Sequence, residues 1–254
     1  MTEMEDAKTV PLTTWRQLPH GLLLRNHVER YLRGSLQHDS NEWSVDIGTM
    51  SSEVDLTSVR GSRYIRLGWL GDAFCDVHAD PQALPLATES VDLIMAAFVL
   101  GYCESPHTTL REMHRALRSG GQLVLVEFNP IGLWGIRHWL GRVRQNNPVW
   151  QARLIRYRRL RDWCQLLGLG IENHIRLGPW WPFQPKRPRV AASWLTFEWP
   201  LAAIGAIQVF VLKKKTYQLI TAREVFTKKR LIPANPVRDM PLARYDTGRR
   251  RTKG

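Results

Sequence analysis

Cysteine is scarce in this chain, which has only Cys75, Cys103 and Cys164 among its 254 residues. The three are far apart and follow no paired spacing, which argues against both a disulfide framework and a cysteine-rich zinc site. A chain with so few cysteines is typical of a reducing compartment. We therefore expect a cytoplasmic protein that binds no metal.

Long hydrophobic runs are also missing. The longest apolar run lies near Ile94 to Leu100, far below the roughly 20 residues that a helix needs to cross a bilayer. The first residues, Met1 to Asp6, are acidic rather than basic and precede no apolar segment, so they are not predicted to form a signal peptide. The sequence therefore predicts no membrane span.

Acidic residues are few at the C-terminal end. The chain carries a formal net charge of +13, and the stretch from Lys213 to Gly254 has 13 basic residues against three acidic ones, which is +10 of that total. This composition predicts a basic, mostly disordered tail over residues 216–254. Two interpretations stay open: a solvated extension, or an electrostatic arm for nucleic acid or another acidic surface.

The segment from Cys75 to Pro130 contains a complete strand, helix, strand unit. Apart from Asp92, Val91 to Phe98 is an apolar run of strand length, and a strand that is apolar on both faces suits the middle of a parallel sheet covered by helices. The unit therefore predicts an α/β protein.

The helix of this unit has recognisable ends. Ser105 is a suitable N-cap, with Pro106 at the first helical position. Gly120 and Gly121 are predicted to end the helix, and Leu123 to Phe128 is predicted to form the next strand.

The same segment resembles the class I S-adenosylmethionine-dependent methyltransferases of the type 11 group. The implied fold is a doubly wound, mostly parallel seven-stranded sheet with helices on both faces, formed by residues 14–215 as one domain. A disordered N-terminus of residues 1–13 precedes it and the basic tail follows. The resemblance rests on Asp80, Leu84-Pro85, Ser90 to Ile94, Leu110 to Glu112, Arg115 to Leu117, Gly120-Gly121 and Phe128 to Pro130.

The resemblance implies S-adenosylmethionine as the cofactor and a site at the carboxyl ends of the first strands. Met50 and Ser52 stand where the family has two further glycines, and Gly68-Trp69 stands where it has an acid for the ribose hydroxyls. Trp69 is a candidate either for stacking on the adenine or for the core. The implied cofactor-binding residues are Asp46, Gly48, Asp80, Pro81, Ala83, Leu84 and Ala97.

Asp80 has two interpretations. The resemblance implies that its carboxylate accepts a hydrogen bond from the adenine amine, since a carboxylate only accepts and the amine only donates. Alternatively, an aspartate before Pro81 caps a turn.

The segment after the fourth strand, Val99 to Cys103, contains no obvious general base. Methyl transfer does not always need one, because the sulfonium is already a strong electrophile and alignment contributes most. Tyr102 is the candidate catalytic residue, as an acid or as a group that orients the acceptor.

Other elements are predicted from periodicity and from turn residues. Trp15 to Leu36 is predicted to be one helix, and Trp134 to Gly168 to be helical and rich in arginine. Gly168 or Gly170 is predicted to end the second stretch. Ile171 to Leu177 and Ala206 to Leu212 are predicted to form an antiparallel pair at the sheet edge. The segment between them is rich in large rings. Two interpretations stay open: a lid over an apolar or planar substrate, or a cap that packs on the sheet and binds no ligand.

Three functions follow from these patterns. The chain is a methyltransferase acting on a small or medium-sized acceptor, or a degenerate methyltransferase fold that serves as an interaction module without catalysis, or a protein that binds nucleic acid through the basic tail. No pattern in the sequence indicates an oligomeric state.

Overall fold

One seven-stranded sheet forms the centre of the protein. The computed structural model describes residues 11–36, 42–69, 74–131, 133–144, 148–178 and 205–215. The strands are β1 Trp43–Ile47, β2 Arg63–Gly68, β3 Val77–His78, β4 Val91–Ala97, β5 Leu117–Phe128, β6 Leu169–Leu177 and β7 Ile207–Lys214. Their order in the sheet is β3-β2-β1-β4-β5-β7-β6, with β7 antiparallel to both of its neighbours and all other pairs parallel. The predicted fold class is therefore confirmed.

Helices cover both faces of this sheet. The helices in the described residues are α1 Gly21–Ser35, α2 Thr49–Ser52, α3 Val99–Tyr102, α4 Pro106–Ala116, α5 Leu133–Arg144 and α6 Tyr157–Leu167. Side chains of α1 belong to one core layer, and side chains of α4 and α6 belong to the other. All seven residues of β4 are buried, as predicted for a central strand.

The predicted helix from Trp15 to Leu36 is wrong at its start. The chain forms a short 3-10 turn at Trp15–Gln17 and begins α1 only at Gly21. Pro19 explains the break, because a proline disfavours the helical conformation in the residue before it, and Leu18 is extended with φ −85° and ψ 143°.

The predicted role of Gly120 and Gly121 is also wrong. The helix that Ser105 caps ends at Ala116, and the next residue already begins β5. Both glycines lie inside β5, where the register with β4 shifts. Gly120 has φ +80°, and a Cβ on Gly121 would lie 2.9 Å from the carbonyl oxygen of Asp92. The glycines therefore permit an irregular, closely packed strand rather than ending a helix.

The predicted helical stretch from Trp134 to Gly168 is interrupted. A 3-10 turn at Pro148–Trp150 and an extended segment separate α5 from α6. Pro148 lacks the amide hydrogen that a continuous helix requires. Gly168 ends α6 as predicted, in a left-handed conformation with φ +76°.

The two last strands form the predicted antiparallel pair, with β6 at the sheet edge. Near the end of β7, the ammonium of Lys214 donates to the carbonyl oxygens of His114 (3.1 Å) and Leu117 (2.8 Å). A cation there satisfies carbonyl groups at the C-terminus of α4. This contact fastens β7 to the helix layer.

Several predictions fall on residues outside the described part of the chain. They are most of the aromatic segment, at residues 179–204, the basic tail, at residues 216–254, and the first ten residues. Leu12, within the predicted disordered N-terminus, is described and buried. The chain divides by its contacts into a unit Met1–Thr216 and a unit Tyr217–Gly254.

Candidate cofactor site

The strand order reverses between β1 and β4, and their carboxyl ends meet there. Open α/β sheets bind ligands at such a switch point. Gly48 follows β1 directly, with φ +81° and ψ 146°, a backbone conformation that is essentially restricted to glycine. A Cβ at this position would lie 3.3 Å from Val99 Cγ2. Gly48 therefore keeps the crevice open between the two strand ends.

The one-turn helix α2 fills the place of the expected glycine-rich loop. Met50 is buried, and its carbonyl oxygen accepts a hydrogen bond from Trp15 Nε1 at 2.8 Å. The side chain packs in the core layer that contains Trp15. Met50 is therefore a core residue, although the family has a glycine at this position.

Ser51 joins the two strands that form the crevice. Its hydroxyl donates to the carbonyl oxygen of Ile47 (2.6 Å) and accepts from the amide of Ala97 (2.8 Å). The sequence analysis missed this residue, because a serine after a strand is usually an ordinary turn residue. Ser51 fixes the spacing of the strand ends, and the amide of Ala97 is already satisfied by it.

Asp46 lies in a buried polar cluster. Its Oδ2 accepts from Arg60 Nη2 (2.5 Å) and from the Tyr64 hydroxyl (2.6 Å). Burial raises the pKa of Asp46 to about 6, although the guanidinium and the hydroxyl act in the opposite direction. The Arg60 guanidinium also stacks over the Tyr64 ring at 4.3 Å. Sequence reasoning missed both partners, which lie 14 and 18 residues away along the chain.

The end of β2 presents an aromatic side chain instead of the family's acid. Trp69 is half-buried, and its Nε1 would lie 3.7 Å from a Cβ at Gly48. Its carbonyl oxygen is 3.0 Å from His78 Nδ1, at the end of β3. Trp69 therefore borders the crevice from the β2 side, and it also packs against both core layers.

Asp80 is exposed in the turn after β3. Its Oδ1 accepts from the amide of Gln82 at 2.9 Å, and its carbonyl oxygen accepts from the amide of Ala83, also at 2.9 Å. The geometry is that of a turn aspartate, with the carboxylate at the surface where a ligand can reach it. Pro81 and Leu84 are buried and anchor this turn, whereas Ala83 is exposed.

Tyr102 is buried at the end of α3. Burial raises its pKa, and the negative charge of Glu127 raises it further. The hydroxyl therefore stays protonated at neutral pH and cannot act as a base. The preceding turn is strained, because Phe98 has φ +58° and is not a glycine.

Glu127 holds this turn from the neighbouring strand. Its Oε1 accepts from the amide of Leu100 at 3.0 Å, and the amide of Gly101 also stabilises the carboxylate. The side chain is fully buried, which raises its pKa to about 8. One signal could have singled out this residue: it is the only charged residue in the apolar run from Leu123 to Phe128.

A cleft of about 300 Å³ opens between the N-terminal ends of α4 and α6. The amide of Ser105, at the start of α4, donates to Gln82 Oε1 at 3.1 Å, which links the cleft to the Asp80 turn. The polar and aromatic residues that line the cleft are Glu104, Ser105, His107, Arg153, Arg159 and Trp163.

In the described part of the chain, no group of three or more potential ligand side chains could hold a metal ion.

Known proteins are similar to this chain in sequence or in fold. A family model described as "Methyltransferase domain" matches residues 35–125. The uncharacterized protein YafS of Escherichia coli is 31% identical over 207 residues, which cover 81% of this chain and 82% of YafS. The chain is a class I methyltransferase of the type 11 group. Like its family, it uses S-adenosylmethionine as its cofactor.

Two further similarities are more limited. The methyltransferase matches the ubiquinone/menaquinone biosynthesis C-methyltransferase UbiE of Hahella chejuensis at 42% identity over 65 residues, which cover 24% of this chain and 26% of that relative. A solved structure from Thermotoga maritima, described as a possible histamine N-methyltransferase, has a TM-score of 0.56 at 16% identity and covers 79% of this chain and 92% of its own. The first match bears on part of the domain and the second on the fold.

The predicted cofactor-binding residues of this methyltransferase lie at one end of the sheet. All seven predicted cofactor-binding residues lie at or just beyond the carboxyl ends of β1, β3 and β4. Gly48 provides a backbone position without a side chain beside the crevice, and the exposed carboxylate of Asp80 lies on the far side of β2.

Among the described residues, no helix is both long and apolar enough to cross a membrane.

Proposed function

We propose that this methyltransferase acts on a small or medium-sized molecule. The observation that carries the proposal is the cleft of about 300 Å³ at the start of α4, which adjoins the Asp80 turn. Clefts of this size, with a few polar groups and an aromatic wall, suit a small ligand better than a macromolecule. The name of the UbiE relative, which refers to quinone biosynthesis, is consistent with a small acceptor.

We propose further that the seven predicted residues hold the cofactor in two ways. Gly48 and Ala97 border it with backbone at the switch point, and Asp46 supports the β1 end through Arg60. The turn formed by Asp80, Pro81, Ala83 and Leu84 receives the adenine, with Asp80 accepting from the exocyclic amine.

Tyr102 is proposed to orient the acceptor as a hydrogen-bond donor. The raised pKa of its hydroxyl supports a donor and argues against a base. The bound sulfonium supplies an activated methyl group, so transfer depends chiefly on alignment. Glu127 contributes by holding the turn that carries Tyr102.

A labelled-methyl experiment tests the acceptor class. The full chain is incubated with methyl-labelled S-adenosylmethionine and a cell extract divided into small-molecule, protein and nucleic-acid fractions. We expect label in the small-molecule fraction. Arg159→Gln, in the cleft, should lower the incorporation, whereas Arg158→Gln, exposed beside it on α6 and outside the cleft lining, should not. Label confined to a macromolecular fraction would refute the proposal.

The charge of the tail supports a second candidate, nucleic-acid binding. Thirteen basic residues against three acidic ones lie between Lys213 and Gly254, and such a segment neutralises phosphates and releases counterions. The logarithm of the affinity for RNA or DNA should then fall steeply and linearly with the logarithm of the salt concentration. An affinity independent of salt would exclude this role. The three cysteines are present as thiols, which supports a cytoplasmic location for either function.

A further inference from the structure

Exposed apolar side chains are concentrated at one place in the described part of the chain. Large hydrophobic residues with more than a third of their surface exposed are otherwise scattered, which is normal for a soluble domain. A cluster is different, because a contiguous apolar patch usually marks an interaction surface. The clustered residues are Ile131 (51% exposed), Ile136 (57%), Trp139 (69%) and Leu140 (46%).

Three of these residues share one face of α5. Ile136, Trp139 and Leu140 are spaced by three and four residues, which places them side by side on a helix. The opposite face packs on the domain, where Trp134 and His138 are buried and lie edge-on or tilted against Trp150. The helix is therefore held in place without its exposed apolar face.

The charged residues of this helix have one sign. From Leu133 to Arg144 the sequence contains three arginines, no lysine and no acidic residue. One of the three, Arg137, lies with its guanidinium 4.6 Å above the Trp150 ring. The partner that this surface fits should therefore be both negatively charged and able to receive aliphatic and indole side chains.

An anionic lipid surface meets both requirements. Helices that lie in the plane of a membrane interface combine basic residues with Trp and Leu on an apolar face. Cytoplasmic leaflets attract basic segments through their anionic lipids. Nucleic acid satisfies only the charge requirement, because Ile136 and Leu140 have nothing to contact on a phosphate backbone. A second copy of the chain would bring the three arginines of α5 towards three more.

We propose that the face of α5 formed by Ile136, Trp139 and Leu140 binds the interface of an anionic bilayer. The helix lies in the interface plane, with these three side chains among the acyl chains and the arginines at the headgroups. α5 follows the carboxyl end of β5, and the cofactor crevice lies at the carboxyl ends of β1 and β4. Docking through α5 therefore brings this end of the sheet to the membrane. The inference stands apart from the proposed function, since binding to lipid requires no methyl transfer.

Sedimentation with lipid vesicles tests this surface on the full chain. Vesicles of phosphatidylcholine alone are compared with vesicles that also contain phosphatidylglycerol. We expect binding to the anionic vesicles that weakens as salt is raised. Trp139→Ala should lower the partition coefficient about tenfold or more, because the indole is a large part of the inserted area. The matched control is Leu166→Ala on α6, where a side chain 80% exposed lies outside the patch.

The outcomes separate the possible partners of this face. Reduced binding of Trp139→Ala, with Leu166→Ala like wild type and with unchanged circular dichroism, supports the proposal. Equal binding of Trp139→Ala and wild type would overturn it, since the basic tail would then account for the attraction to lipid. Absence of binding would overturn it as well. So would a dimer in size-exclusion chromatography that Trp139→Ala converts to a monomer, which would assign the face to a second copy.

Discussion

Glu127 is an ionisable side chain buried at the end of a central strand. Burial raises its pKa from the ordinary 4.5 to about 8, so between these values the folded protein binds a proton that the unfolded chain releases. The free energy of unfolding must then fall as the pH rises through this window. Asp46, whose pKa is raised to about 6, acts with the same sign over a narrower window.

The first prediction concerns Glu127→Gln. Because the variant cannot ionise, it should lose the contribution of Glu127 to the pH dependence of stability, which is up to about 1.4 kcal/mol per pH unit. Urea unfolding at several values between pH 5 and 8 measures the slope. The assignment fails if the variant retains the full wild-type slope.

The second prediction concerns Asp80→Ala. Loss of a charge-assisted hydrogen bond to the adenine should weaken binding of S-adenosylmethionine about ten- to a hundredfold. Stability should fall by about 1 kcal/mol or less, because the hydrogen bond that the Gln82 amide donates to Oδ1 is at the surface. Calorimetric titration and thermal unfolding of the same preparation measure both quantities. Asp162→Ala, an exposed acid on α6, is the control. A destabilised Asp80→Ala with unchanged affinity would leave Asp80 as a turn residue only.

At the scale of elements, the turn from β1 into α2 depends on one glycine. The third prediction is that Gly48→Ala lowers the free energy of unfolding by about 1 to 3 kcal/mol, the cost of placing a side chain in its backbone conformation, and also weakens cofactor binding. Gly34→Ala provides the comparison, since a Cβ there meets nothing within 4 Å on the exposed side of α1. That variant should be neutral or up to about 1 kcal/mol more stable. Equal stability of the two variants would contradict the role of Gly48.

The elements also show where sequence patterns suffice and where they fail. The apolar run of β4, the cap at Ser105 and the stop at Gly168 were predictable, because each depends on neighbours along the chain. Gly120 and Gly121 were not, because what they require is the carbonyl oxygen of Asp92 on another strand.

The site divides in the same way. Asp80 and Gly48 follow strands that the pattern reveals, so their positions were predictable. The partners of Asp46 and the strand-bridging hydroxyl of Ser51 depend on side chains that meet only in the folded protein. Met50 stands where the family has a glycine, and its side chain is buried in the core, which no local pattern indicates.

At the scale of the whole molecule, β7, the last strand of the domain, joins the edge strand β6 to the rest of the sheet. The fourth prediction is that a chain ending at Thr216 folds with the stability of the full chain, because Lys214 and its contacts to α4 remain. Urea unfolding of both chains measures this. The companion chain that ends at Phe210 lacks Lys214 and half of β7 and should not fold cooperatively. Loss of cooperative unfolding in the chain ending at Thr216 would show that Tyr217–Gly254 belongs to the folding unit.

The position of β7 between β5 and β6 also has a consequence for the newly made chain. β6 leaves the ribosome before the strand that connects it to the sheet, and synthesis of the 37 residues from Gly178 to Lys214 takes about 2 to 7 s at the usual rate of elongation. During that interval the apolar edge of β5 has no partner and is open to association with other nascent chains. The order of the strands therefore leaves this side of β5 unpaired until β7 has been synthesised.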